Sequence, residues 1–176
     1  MNQYHRYAIT LQLANNLRDH HSWCGETHLQ KSMYFLEALA KVPTEFGFTL
    51  YKHGPYSFSF HDLISEMKDM DLIEPECTPP YGPRYKTTER GKAFLNKFSA
   101  DIEGWKDLIA KTARCLGDKK VQDLEKVGTA LLIDIEKKTE DIESRATRLS
   151  ELKPHVPLEE ARRATLEYEK IKQCFI

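Results

Sequence analysis

The side chains best suited to metal chemistry are His20, His21, Cys24 and His28, which lie close together near the start of the chain. Imidazole and thiolate are the ligands that zinc prefers in proteins. Their spacing matches no established zinc-binding pattern, and adjacent histidines on one backbone point in different directions. Trp23 among them indicates a packed loop. We therefore favour packing, with a zinc site as the alternative, and we predict no metal and no cofactor.

Covalent catalysis would need a nucleophile with a base beside it, and two residues are candidates. Lys31 could supply an amine, but its place in an amphipathic segment favours an ion pair or a lysine stem lying along apolar surface. Cys77 has no histidine arranged around it, and Gly82 and Gly91 are isolated rather than part of a phosphate-binding loop. Because no convergent catalytic set emerges, we predict that the protein is not an enzyme.

A basic patch is the clearest candidate for nucleic-acid chemistry. From Arg84 to Lys97 there are five basic residues and one acidic residue, with Tyr81 and Tyr85 interleaved. Lysine and arginine neutralise phosphates, and binding of this kind is sensitive to salt. Since the net charge of the whole chain is −1, DNA binding would have to come from this patch. The alternative is a solvated face. The candidate nucleic-acid contacts are Ser59, His61, Ser65, Lys68, Arg84, Lys86, Arg90 and Lys92.

The segment that would read DNA also carries features that oppose DNA binding. Residues 59–70 contain three carboxylates and a single lysine, and carboxylates repel phosphates, although they can accept a hydrogen bond from cytosine. The connection from Ala40 to Ser57 is far longer than the three- or four-residue turn of a helix-turn-helix. Both features favour a protein partner over DNA.

A second candidate surface lies beside the Gly-Pro pair at residues 54–55. Two of its members are three residues apart on a predicted helix and are therefore neighbours, and two others share one face of a predicted strand. The alternative is that the Gly-Pro pair only reverses the chain. The candidate partner-binding residues are Lys31, Tyr34, Tyr51, His53 and Tyr56.

Helices are predicted for the first part of the chain by its apolar periodicity. Residues 3–19 contain no glycine or proline, which favours a helix of that length. A second helix is predicted from Thr27, where Thr27 and Gln30 fit a capping box. Its apolar stripe recurs at helical spacing and consists of Leu29, Met33, Leu36 and Ala40.

Strands and turns follow these two helices. An alternating strand that starts at Phe46 and includes Tyr51 is predicted to end at Gly54–Pro55, and Ser57 or Ser59 is suited to cap a third helix. A hairpin with a proline-rich tip comes next, and Thr88 is suited to cap the helix that follows it. The order of helix, helix, strand, helix, hairpin and helix is typical of a winged-helix domain.

The chain from residue 100 onward is charged and is predicted to be helical. Its apolar stripe has a second edge formed by Val127 and Leu132, which is suited to packing on the first part or to a homodimer. The predicted fold is therefore mainly α with a small β component (α+β), with a winged-helix domain at residues 1–99 and a C-terminal helical extension, residues 100–176, packed on it. The stripe consists of Val121, Leu124, Leu131 and Ile135.

Composition limits the class of protein further. The chain has 176 residues, of which 40% are hydrophobic and 30% charged, a profile typical of soluble globular proteins. Four scattered cysteines are expected to be reduced thiols. No apolar run approaches the roughly 20 residues that span a bilayer, and the first residues form no apolar signal segment. We expect a cytoplasmic protein with no membrane partner.

Several of these segments together resemble a known family. Leu-Gln-Lys at 29–31, Met-Tyr-Phe-Leu at 33–36 and Tyr-Lys-His-Gly-Pro-Tyr-Ser at 51–57 are similar to the YwgA-like group of uncharacterised bacterial and archaeal proteins. That group is similar in turn to the Panacea-type antitoxin domains and to the C-terminal module of macrodomain antitoxins. The resemblance continues through Thr-Glu-Arg-Gly at 88–91 and through residues 124–129 and 152–155.

This resemblance implies a winged-helix fold and a role in defence, a toxin–antitoxin pair or transcription regulation, but no reaction. The module of the macrodomain antitoxins opposes a DNA-modifying ADP-ribosyltransferase by binding the toxin directly. Two hypotheses follow: a non-enzymatic winged-helix protein that binds double-stranded DNA as a regulator, and a protein-binding antitoxin module that neutralises a toxin without binding DNA itself.

Overall fold

Helices dominate the part of the chain that the structure describes, and the four short strands found there form two separate antiparallel hairpins, so the mainly α prediction with a small β component is confirmed. The computed structural model describes residues 1–137 and 141–175. The elements are α1 (Gln3–Asp19), α2 (Glu26–Ala38), β1 (Thr49–Tyr51), β2 (Gly54–Tyr56), α3 (Phe58–Asp69), β3 (Ile73–Glu76), β4 (Arg84–Thr87), α4 (Glu89–Lys97), a 3₁₀ turn (Glu103–Trp105), α5 (Lys106–Leu116), α6 (Val121–Lys137), α7 (Ile142–Leu152) and α8 (Leu158–Gln173).

The first hairpin differs from the single strand predicted for this region. β1 pairs with β2 through Thr49–Tyr56 and Tyr51–Gly54, so the segment expected to end the strand is itself a strand. Gly54 has a φ of +82°, which a glycine adopts without strain and which permits the tight reversal after β1. The second hairpin, β3–β4, pairs Ile73 with Thr87.

Two of the predicted helix caps are confirmed and one is wrong. The Ser57 hydroxyl accepts a hydrogen bond from the Phe60 N–H and begins α3, and Thr88 begins α4 in the same way. In α2, by contrast, Gly25 occupies the cap position and Thr27 lies inside the helix. The capping box fails there because the Gln30 side chain bonds to a distant part of the chain instead.

Gly91, which follows the Thr88 cap, lies against the backbone of the loop before β3. A Cβ atom built at Gly91 would be 2.1 Å from the Leu72 carbonyl oxygen and 2.8 Å from the Thr87 methyl group. Neither neighbour is the free end of a flexible side chain, so the backbone itself would have to move. The glycine therefore fixes the close contact between α4 and the second hairpin.

Replacing Gly91 with alanine is accordingly expected to lower the free energy of unfolding by about 3 kcal/mol, since overpacking against backbone is costly. Urea denaturation measures the change. The matched control is Gly104→Ala, where a Cβ would meet nothing within 4 Å. Equal stability of the two variants would contradict the close packing of α4 on the hairpin.

The core has two parts, and α2 contributes to both. Leu29 and Met33 pack with α1 and α3, whereas Phe35 packs with α6, α7 and α8. Ile109 of α5 belongs to the first part, and α5 packs along α1. The predicted domain boundary at residues 99 and 100 stays a prediction. Among the described residues, no helix is long and apolar enough to cross a membrane.

A buried charge network joins the last three helices. Arg145 of α7 is fully buried and contacts Asp134 of α6 at 2.7 Å and Glu169 of α8. Asp134 also accepts hydrogen bonds from the Tyr168 hydroxyl at 2.5 Å and from the Lys172 ammonium at 2.9 Å. Burial alone would raise the pKa of Asp134, but these donors outweigh burial and lower it.

The second edge of the α6 stripe is covered within a single chain, whereas Ile135 of the first edge is exposed. Val127 is 1% exposed and Leu132 is 7% exposed, so the second edge that suggested a dimer is internal packing. We expect light scattering to give a mass near 20.5 kDa at all concentrations. Leu132→Glu is then expected to destabilise the fold rather than to dissociate a dimer, whereas a concentration-dependent mass for the wild type would contradict this.

Candidate partner-binding site

The two sequence motifs that carry the resemblance are bonded to each other. The Gln30 side-chain amide donates to the Ser57 carbonyl and accepts from the Ser57 N–H, both at 3.0 Å. The neighbouring Lys31 ammonium donates to the Pro55 carbonyl at 2.8 Å. Gln30 and Lys31 are both buried. Consecutive residues of α2 therefore hold β2 and the start of α3 in place.

Helix α6 closes the opposite side of the first hairpin. A Cβ atom at Gly54 would lie 2.9 Å from the Glu125 carbonyl oxygen, so the hairpin and α6 touch backbone to backbone. Gly128, further along α6, faces the Pro55 ring, which a Cβ would approach to 3.4 Å. Two glycines 74 residues apart thus allow one close contact.

A second lysine holds the turn of the same hairpin. The Lys153 ammonium, just after α7, donates to the carbonyl oxygens of Tyr51 and Lys52 at 2.7 and 2.8 Å. Burial lowers the pKa of Lys153, and the carboxylate of Glu125 opposes that effect. Sequence reasoning placed Gln30 in a capping box rather than against the first hairpin, and it assigned no role to Lys153 or Glu125. The signal was the weaker resemblance at residues 124–129 and 152–155.

An aromatic surface lies where the first hairpin meets α3, and it is defined by Tyr51 and Tyr56 of the hairpin and Phe58 of α3. The ring centroids are 5.1 to 5.6 Å apart, so each ring contacts the other two. Tyr51 is 54% exposed and Phe58 is 57% exposed. Sequence reasoning missed Phe58 because it lies outside the buried apolar face of α3, which consists of Phe60, Leu63, Ile64 and Met67. An aromatic residue off that face was the available signal of an exposed ring.

A cavity of about 240 Å³ opens beside the aromatic surface and brings most of the predicted partner-binding residues together. Tyr34 lies apart, with its ring buried against Phe48 at a centroid distance of 5.1 Å. The buried Tyr34 hydroxyl has a raised pKa, chiefly because of desolvation. The lining of the cavity is Glu26, Thr27, Lys31, Tyr51, His53, Gly54 and Tyr56.

The cavity is electrostatically uneven. Burial lowers the pKa of Lys31 to about 8, partly offset by the Glu125 carboxylate and reinforced by the Lys153 ammonium. Both carboxylates near the cavity already contact imidazoles, since Glu125 lies 3.3 Å from His53 and Glu26 lies 2.5 Å from His61. Among the described residues that line the cavity, Lys31 is the buried cation.

Three of the four predicted nucleic-acid contacts on the second hairpin and α4 are paired with carboxylates. From residue 71 to residue 97 there are five basic and four acidic residues, which leaves little net charge. The excess counted from Arg84 onward omitted the acidic residues of β3, which lie directly across the hairpin. The pairs are Arg84–Glu76 at 3.0 Å, Lys86–Glu74 at 2.8 Å and Lys92–Glu89 at 2.6 Å.

The other five predicted nucleic-acid contacts do not form one basic surface. Two of them already have partners in the fold, and the only lysine of α3 lies over an aromatic ring. The five residues are Ser59, which donates to the Phe46 carbonyl at 2.6 Å, His61, which contacts Glu26, Lys68, which lies over the Tyr85 ring, half-buried Ser65 and exposed Arg90.

The residues considered for zinc are spread through the packed loop and its surroundings. The Cys24 thiol donates to the Ala14 carbonyl at 3.6 Å, and a ring nitrogen of His28 lies 3.0 Å from the Leu116 carbonyl. Burial lowers the pKa of His28. His21 is exposed at the surface. Within residues 1–137 and 141–175, no three histidine, cysteine or acidic side chains are grouped to hold a metal ion.

Comparison with protein-family profiles and with curated proteins found no match for this chain.

Proposed function

We propose that this chain is a non-enzymatic winged-helix protein that acts by binding a protein partner, as an antitoxin module that neutralises a toxin without binding DNA. The observation that supports this most is the aromatic surface, in which Tyr51 and Tyr56 of a hairpin held by α2 and α6 contact Phe58 at the start of α3. Exposed aromatic side chains on a rigid support are the typical anchors of protein–protein interfaces.

A rigid support matters because ordering a surface on binding costs free energy. The first hairpin is held by hydrogen bonds from Gln30 and Lys31 of α2, and its turn is held by hydrogen bonds from Lys153. Its aromatic rings also contact one another, which restricts their rotamers. The surface is therefore preorganised, and a partner would gain most of the contact energy without paying for loop ordering.

DNA binding is the second candidate, and the arrangement of α3, the β3–β4 hairpin and α4 favours it. In a winged-helix regulator, a helix of this kind enters the major groove and the hairpin follows the phosphates. The charges oppose that role here, since the hairpin cations are paired with Glu74 and Glu76 and α3 carries more carboxylates than lysines.

A duplex titration at low salt separates the two functions, because electrostatic attraction is strongest there. We expect no binding by the wild type. The matched control is the double variant Glu74→Gln with Glu76→Gln, which frees Arg84 and Lys86 and is expected to gain weak, salt-sensitive binding. Tight wild-type binding that is lost in Arg84→Ala with Lys86→Ala would contradict the protein-binding proposal.

A further inference from the structure

Lys31 is a buried cation that lacks an anionic partner. Its side chain is 1% exposed, and in the described part of the chain no carboxylate forms an ion pair with it. An ammonium has three N–H donors, and among the described residues only the Pro55 carbonyl accepts from one of them. Buried charges in proteins are normally paired, so an amine at the wall of a cavity is suited to receive an anion from outside.

The size of the cavity limits what that anion can be. At about 240 Å³ it is smaller than the roughly 300–1,000 Å³ of most small-molecule sites. Its walls are the Tyr51 and Tyr56 rings, and the Gly54 backbone forms one side. These dimensions suit one side chain of a partner better than a whole metabolite or a nucleotide.

The charged groups around Lys31 and Tyr56 are the Glu26, Glu125 and Asp62 carboxylates and the Lys153 ammonium. Glu26 is held by His61 and by the Tyr56 hydroxyl at 3.4 Å, and Glu125 is held by His53. Lys153, behind the hairpin turn, adds a second positive charge. The Glu125 carboxylate stabilises the charge of both ammonium groups, yet the Lys31 ammonium keeps two N–H groups for which no described residue is an acceptor, so an anion that enters the cavity can still bond to it.

We propose that this cavity receives one aspartate or glutamate side chain of the partner protein, whose carboxylate pairs with the Lys31 ammonium. The residues next to that side chain would lie across the aromatic surface, where Tyr51 and Phe58 are exposed. This inference rests on the proposed function and adds the chemistry of the partner. It assigns Lys31 to recognition as well as to holding Pro55.

Binding of this kind depends on pH with a definite sign. The carboxylate pairs with the protonated amine, and the pKa of Lys31 in the free protein is about 8. Affinity is therefore expected to be highest at pH values where the amine is protonated and the carboxylate is ionised, and to fall as the pH rises through 8 and the amine loses its proton. A partner segment that uses only the aromatic surface would show no such decline.

The test begins with a library of random twelve-residue peptides displayed on phage and selected on the intact protein at pH 7. Selected peptides are expected to share an acidic residue beside aromatic or apolar ones. A synthetic copy of the strongest peptide and its Asp→Asn or Glu→Gln counterpart are then titrated by calorimetry. We expect the neutral peptide to bind at least about tenfold more weakly at pH 7 and to lose the decline above pH 8.

Lys31→Met, with Lys52→Met as the matched exposed control, completes the cycle. In Lys31→Met the acidic and neutral peptides are expected to bind equally, whereas Lys52→Met should preserve the difference. If Lys31→Met does not fold, the pH profiles of the two peptides on the wild type decide alone. Selected peptides that are weakened by Tyr51→Ala yet need no carboxylate would overturn this inference and leave the proposed function standing.

Discussion

Replacing Gln30 with leucine is expected to lower the free energy of unfolding by about 3 kcal/mol. The substitution leaves the Ser57 N–H buried without its acceptor, which costs about 1–3 kcal/mol, and it removes one of the two donors to the Ser57 carbonyl, which keeps its bond from the His61 N–H. Urea denaturation measures the loss. Hydrogen exchange over residues 49–57 is expected to quicken at the same time, because the amide holds β2 against α2.

The matched control for this prediction is Gln122→Leu at an exposed position of α6. Its effect is expected to stay within about 0.5 kcal/mol, as for most surface substitutions. If both glutamine variants were equally stable, the link between α2 and the first hairpin would not be the structural basis of the two motifs.

Replacing Arg145 with methionine is expected to cost about 3–5 kcal/mol, the usual result of removing one member of a buried charge cluster. Asp134 and Glu169 would then face each other without the guanidinium that contacts both. The exposed Arg163→Met is the matched control, since the Arg163 side chain is 75% exposed. Similar unfolding midpoints for the two variants would contradict a structural role for the cluster.

The same cluster predicts how stability depends on pH. The folded-state pKa of Asp134 is lowered, so its contribution is present at neutral pH and is lost as the pH falls through that lowered value. In Arg145→Met the carboxylate loses a cationic partner, and the acid-dependent part of the unfolding free energy is expected to shrink. Urea denaturation at a series of pH values between about 3 and 7, where carboxylates titrate, measures this change in the unfolding free energy.

Features that depend on neighbouring residues were predictable from the sequence. The helix beginning at Ser57 and the one beginning at Thr88 follow from a hydroxyl that bonds to an N–H three residues later. The first hairpin was not predictable in the same way. Its second strand depends on the positive φ of Gly54 and on contacts to Lys31, Lys153 and α6, which are far away in the sequence.

The candidate site shows the same division. Lys31, Tyr51 and His53 line one cavity because the motifs that contain them are bonded together across 27 residues, and their role in binding stays a prediction. Tyr34 was grouped with them by helical spacing. However, α2 lies between the two parts of the core, and the Tyr34 ring points into the part formed with α6, α7 and α8. Spacing along one helix cannot show which of its faces is covered.

The basic patch illustrates a further limit. Counting charges along the chain from Arg84 gives an excess of basic residues, but β4 is paired with β3, whose Glu74 and Glu76 lie opposite. Charge has to be counted across a hairpin, and this needs the register. For that reason the sequence kept DNA and protein partners open, whereas the paired charges favour a protein.

The most direct test of the binding proposal uses the purified protein encoded by the neighbouring gene. Calorimetric titration with the wild type is expected to give a one-to-one complex. Tyr51→Ala with Phe58→Ala is expected to weaken it by at least about thirtyfold, the effect of losing roughly 2 kcal/mol at an interface anchor. Tyr4→Ala with Tyr81→Ala, which removes equally exposed rings elsewhere, should leave it unchanged. Equal affinity in both double variants, or no complex together with salt-sensitive duplex binding by the wild type, would contradict a protein-binding role for the aromatic surface.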